Sequence, residues 1–188
     1  MRKLGAQLGV EAMSLYNHVA NKDDLLDGMI DIVFSEIQAP AAGGDWKAEL
    51  RKRAVSMREA LHRHPWAVGE MEGRTTHGPS NLKVHDAVLG CLRAAGFSIE
   101  TTVHAMSVQD AYIYGFALQQ TDMSSETPED FAAEARRQMA DYADALAEYP
   151  NLVEVVGGHV AKAGYDYDAE FLFGLDLILD GLERLLSA

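Results

Sequence analysis

Apolar positions recur at helical spacing along almost the whole chain, and the alternating runs typical of strands are scarce. Breaks rich in Gly, Pro or Ala separate the periodic segments, for example at 41–44, 94–98 and 149–151. This pattern predicts an all-α protein of about nine helices. It also favours two units, a small amino-terminal head with its connecting helix over residues 1–38 and a larger helical body over residues 45–188.

Several helix ends carry their own sequence signals. Gly9 and Gly96 suit the left-handed conformation that commonly follows a helix. Asn21, Ser98 and Thr127 have side chains that accept hydrogen bonds from the free N–H groups of a first helical turn. We therefore expect a helix to end before each glycine and another to begin after each capping residue.

Two helices, predicted over 98–120 and 168–187, are apolar on more than one side. The second one also contains the small residues Gly174 and Gly181, which allow another backbone to approach closely. Because one domain does not bury so wide an apolar surface, we expect both helices from each of two chains to form a four-helix bundle in a homodimer. A central helix in a monomeric bundle is the alternative interpretation.

The first 30 residues predict a different unit. Leu4 and Leu8 lie four positions apart and share a helix face, and Gly5 between them leaves room for a crossing helix. A short second helix is expected from about Glu11 to Val19, followed by a long third one. The outward side chains of the second helix are small or uncharged, which suits contact with base edges and thymine methyl groups. This order is typical of a helix-turn-helix followed by a connecting helix.

Charge is distributed unevenly along the chain. The protein has a net charge of −13, with 29 acidic and 16 basic residues. The first 22 residues contain Arg2, Lys3 and Lys22 against Glu11, so they carry +2 and the remainder carries −15. The acidic body disfavours non-specific association with nucleic acid, whereas the basic tip can still contact phosphates at short range. Net acidity therefore does not exclude DNA binding.

The segment RKLGAQLGVEAMSLYNHVANKDDLLDGM is similar to the DNA-binding signature of the TetR family of bacterial repressors. Two further segments, RAAGFSIETTVHAMSVQDAYIYGFAL and EFLFGLDLILDGLERLL, resemble the ligand-binding and dimerisation helices of tetracycline-repressor-like members, so the resemblance covers nearly the whole chain. It implies a ligand-responsive transcriptional regulator that binds palindromic operator DNA as a homodimer. It also implies release of the DNA by a small-molecule effector.

The resemblance implies a recognition helix over residues 11–18. The expected DNA contacts are Arg2, Ala12, Met13, Ser14, Tyr16, Asn17, His18 and Lys22. Ala12, Met13 and Asn17 would face bases, and Arg2 would reach a guanine or a phosphate from the preceding helix. These residues are expected to determine which sequence is read.

Tyr16, His18 and Lys22 would contact the phosphate backbone and set the register on the duplex. Tyr16 also fits a half-buried place in a small core, and His18 also fits a solvated imidazole.

DNA-binding domains of this family normally have one helix before the two predicted here. The sequence begins inside the second, so we expect that first helix to be missing from the chain.

An effector site is expected in the body, on helices 47–63, 82–95 and 98–120. The candidate residues, from helical spacing and from the resemblance, are Arg53, Met57, His85, Val88, Val103, Met106 and Asp110. Met suits an adaptable apolar site, and each apolar member also fits ordinary core packing. His85 and Asp110 need polar partners if buried, so a structural hydrogen bond, between them or with other residues, is the alternative to ligand recognition.

Other classes of protein are less well supported. His62 and His64 point apart on a helix and no ligand spacing completes a metal site, so no metal or cofactor is predicted. The single Cys91, in an apolar stretch, fits a buried side chain in a reducing compartment. No segment approaches the ~20 apolar residues of a membrane span, so a cytoplasmic protein is expected. A helical enzyme and an interaction module without effective DNA binding remain as alternatives.

Overall fold

The computed structural model describes residues 1–71, 78–121, 127–162 and 165–186. Within these ranges the chain forms eleven α-helices and one π-helical turn and contains no strand, which confirms the all-α prediction. The elements are α1 Arg2–Leu8, α2 Ala12–Leu15, α3 Lys22–Ser35, α4 Trp46–Arg63, α5 Pro65–Met71, α6 Pro79–Ala94, α7 Ile99–Thr121, α8 Pro128–Asp141, α9 Ala143–Leu146, α10 Pro150–Val155, the π turn Val156–Val160 and α11 Tyr167–Leu186. The count exceeds the predicted nine chiefly because residues 128–160 divide into four short pieces.

The predicted helix ends are confirmed. Gly9 and Gly96 have φ angles of 69° and 101°, in the left-handed region that glycine adopts without strain. The capping bonds run from Asp24 N to Asn21 Oδ1 at 2.9 Å, from Thr101 N to Ser98 Oγ at 3.0 Å and from Asp130 N to Thr127 Oγ1 at 3.1 Å. Short-range side-chain chemistry therefore determines where α3, α7 and α8 begin.

The core lies where α4 and α7 pack together. Helices α5, α6 and α11 also pack against α7, and α3 packs against α4, α5 and α6. Met57, Ile113 and Leu175, from three different helices, are fully buried there. Cys91 is buried as expected, and burial raises the pKa of its thiol. The helical body thus has one continuous apolar interior.

The basic residues near the start of α4 form ion pairs with acids of α11. Lys47 Nζ lies 2.6 Å from Asp180 Oδ1 and 2.8 Å from Glu183 Oε2, and Arg51 makes two hydrogen bonds of 2.9 Å to Asp176. These contacts raise the pKa of Lys47, mainly through Asp180, and lower the pKa of Asp176 through Arg51. The pairs are partly exposed, so water and salt weaken each of them. They align α4 with α11.

A charged pair crosses the buried interface between α4 and α7. Arg53 is only 1% exposed, and its Nη2 lies 2.7 Å from Asp110 Oδ1 while its Nη1 donates to Gln109 Oε1 at 3.0 Å. The Asp110 contact is electrostatic rather than a well-aligned hydrogen bond, since Asp110 Oδ1 and Arg53 Nε lack a hydrogen-bond partner among the described residues. Burial, and then the charge of Asp110, raise the pKa of nearby Tyr114 to about 12.

Helix α3 is tied to the body by a tertiary cap. Asp31 Oδ1 accepts hydrogen bonds from the backbone N–H groups of Ser80 at 2.9 Å and Asn81 at 3.0 Å. A carboxylate at this place satisfies free N–H groups at the start of α6 and interacts favourably with the positive end of the helix. The helix that follows the head is therefore fixed to the body by a charge-assisted contact.

Helix α11 separates its apolar residues between two faces. Leu182, Leu175 and Leu179 are buried in the core of their own chain, whereas Phe173 is 65% and Leu177 58% exposed. The exposed pair lies outside the core-facing positions of the helix. The prediction of apolar surface on more than one side of this helix is thus confirmed.

The expected role of Gly174 was wrong. A side chain at Gly174 would collide with the Tyr112 ring of the same chain, and the Tyr112 hydroxyl donates to the Phe171 carbonyl oxygen at 2.9 Å. The missing Cβ therefore makes room for an internal tyrosine rather than for another backbone. Gly181 has open space around its Cβ position.

Candidate nucleic-acid interface and ligand cavity

The head is built on a close crossing of α1 and α2. A Cβ atom at Gly5 would lie 2.8 Å from the Val10 carbonyl oxygen and 3.2 Å from the Ala12 backbone nitrogen. The Val10 N–H also donates to the Gly5 carbonyl oxygen at 3.0 Å. A larger residue at position 5 would force the two helices apart, so the predicted need for a small residue here has a direct structural cause.

The second helix of the head is shorter than the predicted span from Glu11 to Val19. The α-helix ends at Leu15, and the N–H groups of Tyr16, Asn17 and His18 then donate to carbonyl oxygens three residues earlier at 3.2, 3.2 and 3.0 Å. Such bonds tighten the last turn, which ends before the capping residue of α3. The predicted contact residues 16–18 therefore lie on a turn that extends α2.

Most of the predicted DNA contacts are accessible. The exposed ones are Arg2, Met13, Tyr16, Asn17, His18 and Lys22. Ala12 is half-buried at the crossing with α1, and the half-buried Ser14 donates its hydroxyl to the Glu11 carbonyl oxygen at 2.6 Å. Tyr16 lies on the surface, so its ring is available to a partner. Contact of these side chains with DNA stays a prediction.

A cavity of about 430 Å³ opens in the body, a volume within the usual range for small-molecule sites. Four helix ends and the segment before α11 surround it. Its walls are Val55, Arg58, Glu59, His62 and Arg63 from α4, Gln120 from α7, Thr127 and Phe131 at the start of α8, and Tyr165, Asp166, Tyr167, Asp168, Phe171 and Leu172 around the start of α11. The cavity thus forms where elements distant in sequence converge.

None of the seven predicted effector residues lines this cavity. Met57 and Val88 are buried in the core, and Met106 is half-buried against it. Val103 is 50% exposed, so it does not belong to the inner apolar face that was expected. The residue faces outward because the core-facing positions of this part of α7 are Thr102 and Ala105. Whether any of the seven residues contacts a ligand stays a prediction.

The polar members of the predicted set have other partners. Asp110 pairs with Arg53, as described above, which matches the alternative of a structural partner other than His85. His85 Nδ1 lies 2.9 Å from the carbonyl oxygen of Asn81, one turn earlier on α6, and its ring is 5.9 Å from that of Phe34. Arg53 was the closer partner for Asp110 because α4 packs directly against α7.

Aromatic side chains dominate one side of the cavity. Phe131 stacks on Tyr165 with centroids 5.2 Å apart, and Tyr167 lies 4.4 Å from Phe116, which in turn packs on Phe171 at 5.1 Å. Sequence reasoning missed these residues because it followed helix faces, whereas Tyr165 precedes α11 and Phe131 lies at the start of α8. The closely spaced tyrosines 165 and 167 were the available signal.

Arg58 sits against this aromatic cluster. Its guanidinium carbon is 5.2 Å from the Phe116 ring centre and 5.0 Å from that of Phe171. Its Nε donates to Gln120 Oε1 at 3.1 Å, and its Nη2 pairs with Asp168. The rings and the amide hold the cation in a fixed position on the cavity wall.

A second arginine connects the cavity to α3. Arg63 lines the cavity and donates from Nη2 to Glu36 Oε2 at 2.7 Å, while His64 Nε2 lies 2.8 Å from Glu36 Oε1. Glu36 is the residue that ends α3. Hydrogen bonds from Arg63, and then from His64, lower the pKa of Glu36, so the carboxylate is ionised at neutral pH. The cavity wall thus contacts the end of the helix that leaves the head.

A helix-turn-helix head, a connecting helix attached to a cavity wall and an exposed apolar helix face define a DNA-binding regulator that responds to a small molecule. The chain belongs to the TetR family of transcriptional regulators: the family model described as "Tetracyclin repressor-like, C-terminal domain" matches residues 39–186. This confirms the resemblance in the sequence. It also confirms the expectation of a regulator rather than an enzyme.

Individual relatives agree with this assignment. The chain is 34% identical over 198 residues to the HTH-type transcriptional repressor DrrR1 of Streptomyces coeruleorubidus, covering 100% of this chain and 70% of that protein. It is 29% identical to the tetracycline repressor protein class G of Vibrio anguillarum, covering 100% of this chain and 85% of that protein. Among solved structures, the Streptomyces coelicolor TetR family protein ActR in complex with actinorhodin superposes with a TM-score of 0.78 at 26% identity, covering 100% of this chain and 88% of that one. In the described residues, no helix is long and apolar enough to cross a bilayer.

Proposed function

We propose that this chain is a homodimeric, cytoplasmic repressor that binds near-palindromic operator DNA and releases it when a small molecule enters the cavity. Residues 1–38 form the reading head and its connecting helix α3, and residues 45–188 form the effector-binding and dimerising body. Membership of the TetR family supports the general function. The exposed apolar residues Leu118 on α7 and Phe173 and Leu177 on α11 support the dimer, because water-exposed side chains of this size gain from burial.

The contact between Arg63 and Glu36 carries the proposal of ligand control. Arg63 belongs to the cavity wall, and Glu36 ends the helix that begins directly after the head. A ligand that displaces Arg63 or shifts the end of α4 therefore changes the contact that holds α3. Release of DNA requires only that the ligand bind the released arrangement more tightly, with a coupling of about 1–3 kcal/mol.

In the head, we propose that Met13 and Asn17, with Ala12 and Ser14 beside them, read base edges from the second helix. Arg2, Tyr16, His18 and Lys22 hold the phosphate backbone on either side. The exposure of Met13 and Asn17 suits base contact, and Lys22 at the first position of α3 suits phosphate contact.

Selection from a random duplex library tests the operator proposal. We expect two related half-sites whose centres lie about one helical turn, or a multiple of it, apart. Lys22→Ala should weaken binding to all sequences and reduce the slope of log affinity against log salt by about 1, whereas Asn17→Ala should change base preference. Lys52→Ala, an exposed lysine on α4, is the matched control and should leave the slope unchanged. Selected sequences without twofold relation would contradict the proposal.

Glu36→Gln tests the link between cavity and head. The variant should bind operator and effector like the wild type, because Glu36 lies outside both proposed sites. The ratio of operator affinities without and with effector, expected at about 5–150-fold in the wild type, should fall below about twofold. Fluorescence anisotropy of labelled operator measures this ratio. Actinorhodin is a suitable first compound, since it is bound to the related protein ActR.

The control for this change is Glu49→Gln, which removes a surface pair with Lys52 at 2.7 Å. It should retain the full wild-type response. A Glu36→Gln protein that is still released as efficiently as the wild type would show that the signal leaves the cavity by another route.

A further inference from the structure

The cavity wall contains a largely buried cation, Arg58, whose ionic partner is mostly exposed to water. The Arg58 side chain is 12% exposed, whereas the carboxylate of Asp168 that pairs with it is 73% exposed. A hydrated carboxylate gives little net stabilisation to a partly buried cation, because it loses water to form the pair and is screened by salt. The counter-ion of Arg58 is therefore replaceable by a better-placed anion.

The other charged groups on the wall are differently arranged. Arg63 is held by Glu36, outside the cavity, through two hydrogen bonds of 3.1 and 2.7 Å. The carboxylates of Glu59 and Asp166, like that of Asp168, belong to exposed residues that water already solvates. A ligand cation gains less from such groups than a ligand anion gains from a cation shielded from water. The electrostatics of the wall therefore favour an anion.

The aromatic side chains of the wall indicate which ring shape the ligand has. Phe131, Tyr165, Tyr167 and the fully buried Phe171 line the same cavity, and the Phe131 and Tyr165 planes lie within 23° of each other. Stacked and edge-on contacts of this kind favour flat aromatic molecules over branched aliphatic ones. The Arg58 guanidinium lies over the Phe171 ring, and its donors form a fixed fork.

Resting on the proposal that this cavity binds the effector, we infer that it selects flat aromatic molecules that carry an anionic group. Arg58 is the anchor for that group, and Asp168 is the counter-ion that it displaces. Arg58 thus determines specificity, while the aromatic wall supplies most of the contact area.

Two fluorescent probes of similar ring structure test this inference. 1-Anilinonaphthalene-8-sulfonate is anionic, and N-phenyl-1-naphthylamine is its neutral counterpart. We expect the wild-type protein to bind the anionic probe at least about tenfold more tightly. Arg58→Gln should remove this preference while the affinity for the neutral probe stays the same. Asp168→Asn should have the opposite effect and tighten binding of the anionic probe, since it removes the competing carboxylate.

Matched variants separate this result from simple destabilisation. Arg51 lies on the same helix as Arg58 but outside the cavity. Arg51→Gln removes its ion pair with Asp176 and should therefore leave both affinities unchanged. If Arg58→Gln and Asp168→Asn weaken both probes alike, Arg58 only supports the fold and the inference fails. Val55→Trp should block the cavity for both probes, and unchanged binding in that variant would place the probes elsewhere and also overturn it.

Failure of this inference can be distinguished from failure of the proposed function. Compounds that release the wild-type protein from operator, and lose that effect in Val55→Trp, identify the cavity as the effector site whatever their charge. If those compounds are neutral and Arg58→Gln responds to them normally, the anionic specificity is wrong while the proposed function stands.

Discussion

Replacing Arg53 by Met is expected to lower the free energy of unfolding by about 3 kcal/mol or more. Arg53 is buried between α4 and α7, where it pairs with Asp110 and donates to Gln109. Met fills a similar volume but leaves a carboxylate and an amide in the interface without their partner. An unpaired buried charge is among the few changes that destabilise a protein this strongly. Urea unfolding followed by circular dichroism, at one protein concentration, measures the effect.

Two further variants isolate the cause. In Arg53→Met with Asp110→Leu, both charges are absent, and most of the lost stability should return because a well-packed apolar pair replaces the ionic one. Arg51→Met breaks the partly exposed pair that α4 makes with Asp176 of α11 and should change stability by less than about 1 kcal/mol. Equal losses for the Arg53 and Arg51 variants would show that the buried pair has no special role.

The sequence predicted the helix ends well because the determinants are local. Gly9, Gly96 and the capping residues act on groups within four positions along the chain, so their effect is visible without knowledge of the fold. The head follows the same logic, since the crossing of α1 and α2 at Gly5 joins residues only a few positions apart. Its second helix was overestimated because helical periodicity does not distinguish an α-helix from a tighter turn that extends it.

The cavity could not be predicted in the same way. Its walls come from residues 55–63, 120, 127–131 and 165–172, and their convergence depends on how the helix ends pack in three dimensions. Helical spacing identified faces of α4 and α7 that do lie in the interior, but the interior there is filled. Met57 therefore packs in the core, and Arg53 finds an internal partner.

The apolar surface of α11 illustrates a mixed outcome. Counting apolar residues was sufficient to predict that one domain would not cover them all, and Phe173 and Leu177 are indeed exposed. Which residues face outward required the structure, because apolar spacing alone does not show that Leu175 and Leu182 pack inside their own chain. Gly174 likewise accommodates Tyr112, whose position no local pattern predicts.

Replacing both Phe173 and Leu177 by Glu is expected to convert the proposed homodimer into monomers. The two residues lie one turn apart on the exposed side of α11, and a twofold interface would bury four such side chains. Burial of the surface that is still exposed contributes about 1–2 kcal/mol for each side chain, so their loss weakens the dimer by at least about a hundredfold, before the cost of placing four charges in an apolar interface. Sedimentation velocity measures the change, and circular dichroism should still report a helical protein.

The same variant should bind operator DNA far more weakly, because each monomer reaches only one half-site and the gain from joining two heads is lost. Leu82→Glu is the control: this leucine is also exposed, but it lies on α6. It should leave both the dimer and operator binding intact. If the Phe173 and Leu177 variant sediments as a dimer and reads operator normally, the chains associate through another surface and the exposed face of α11 has a different partner.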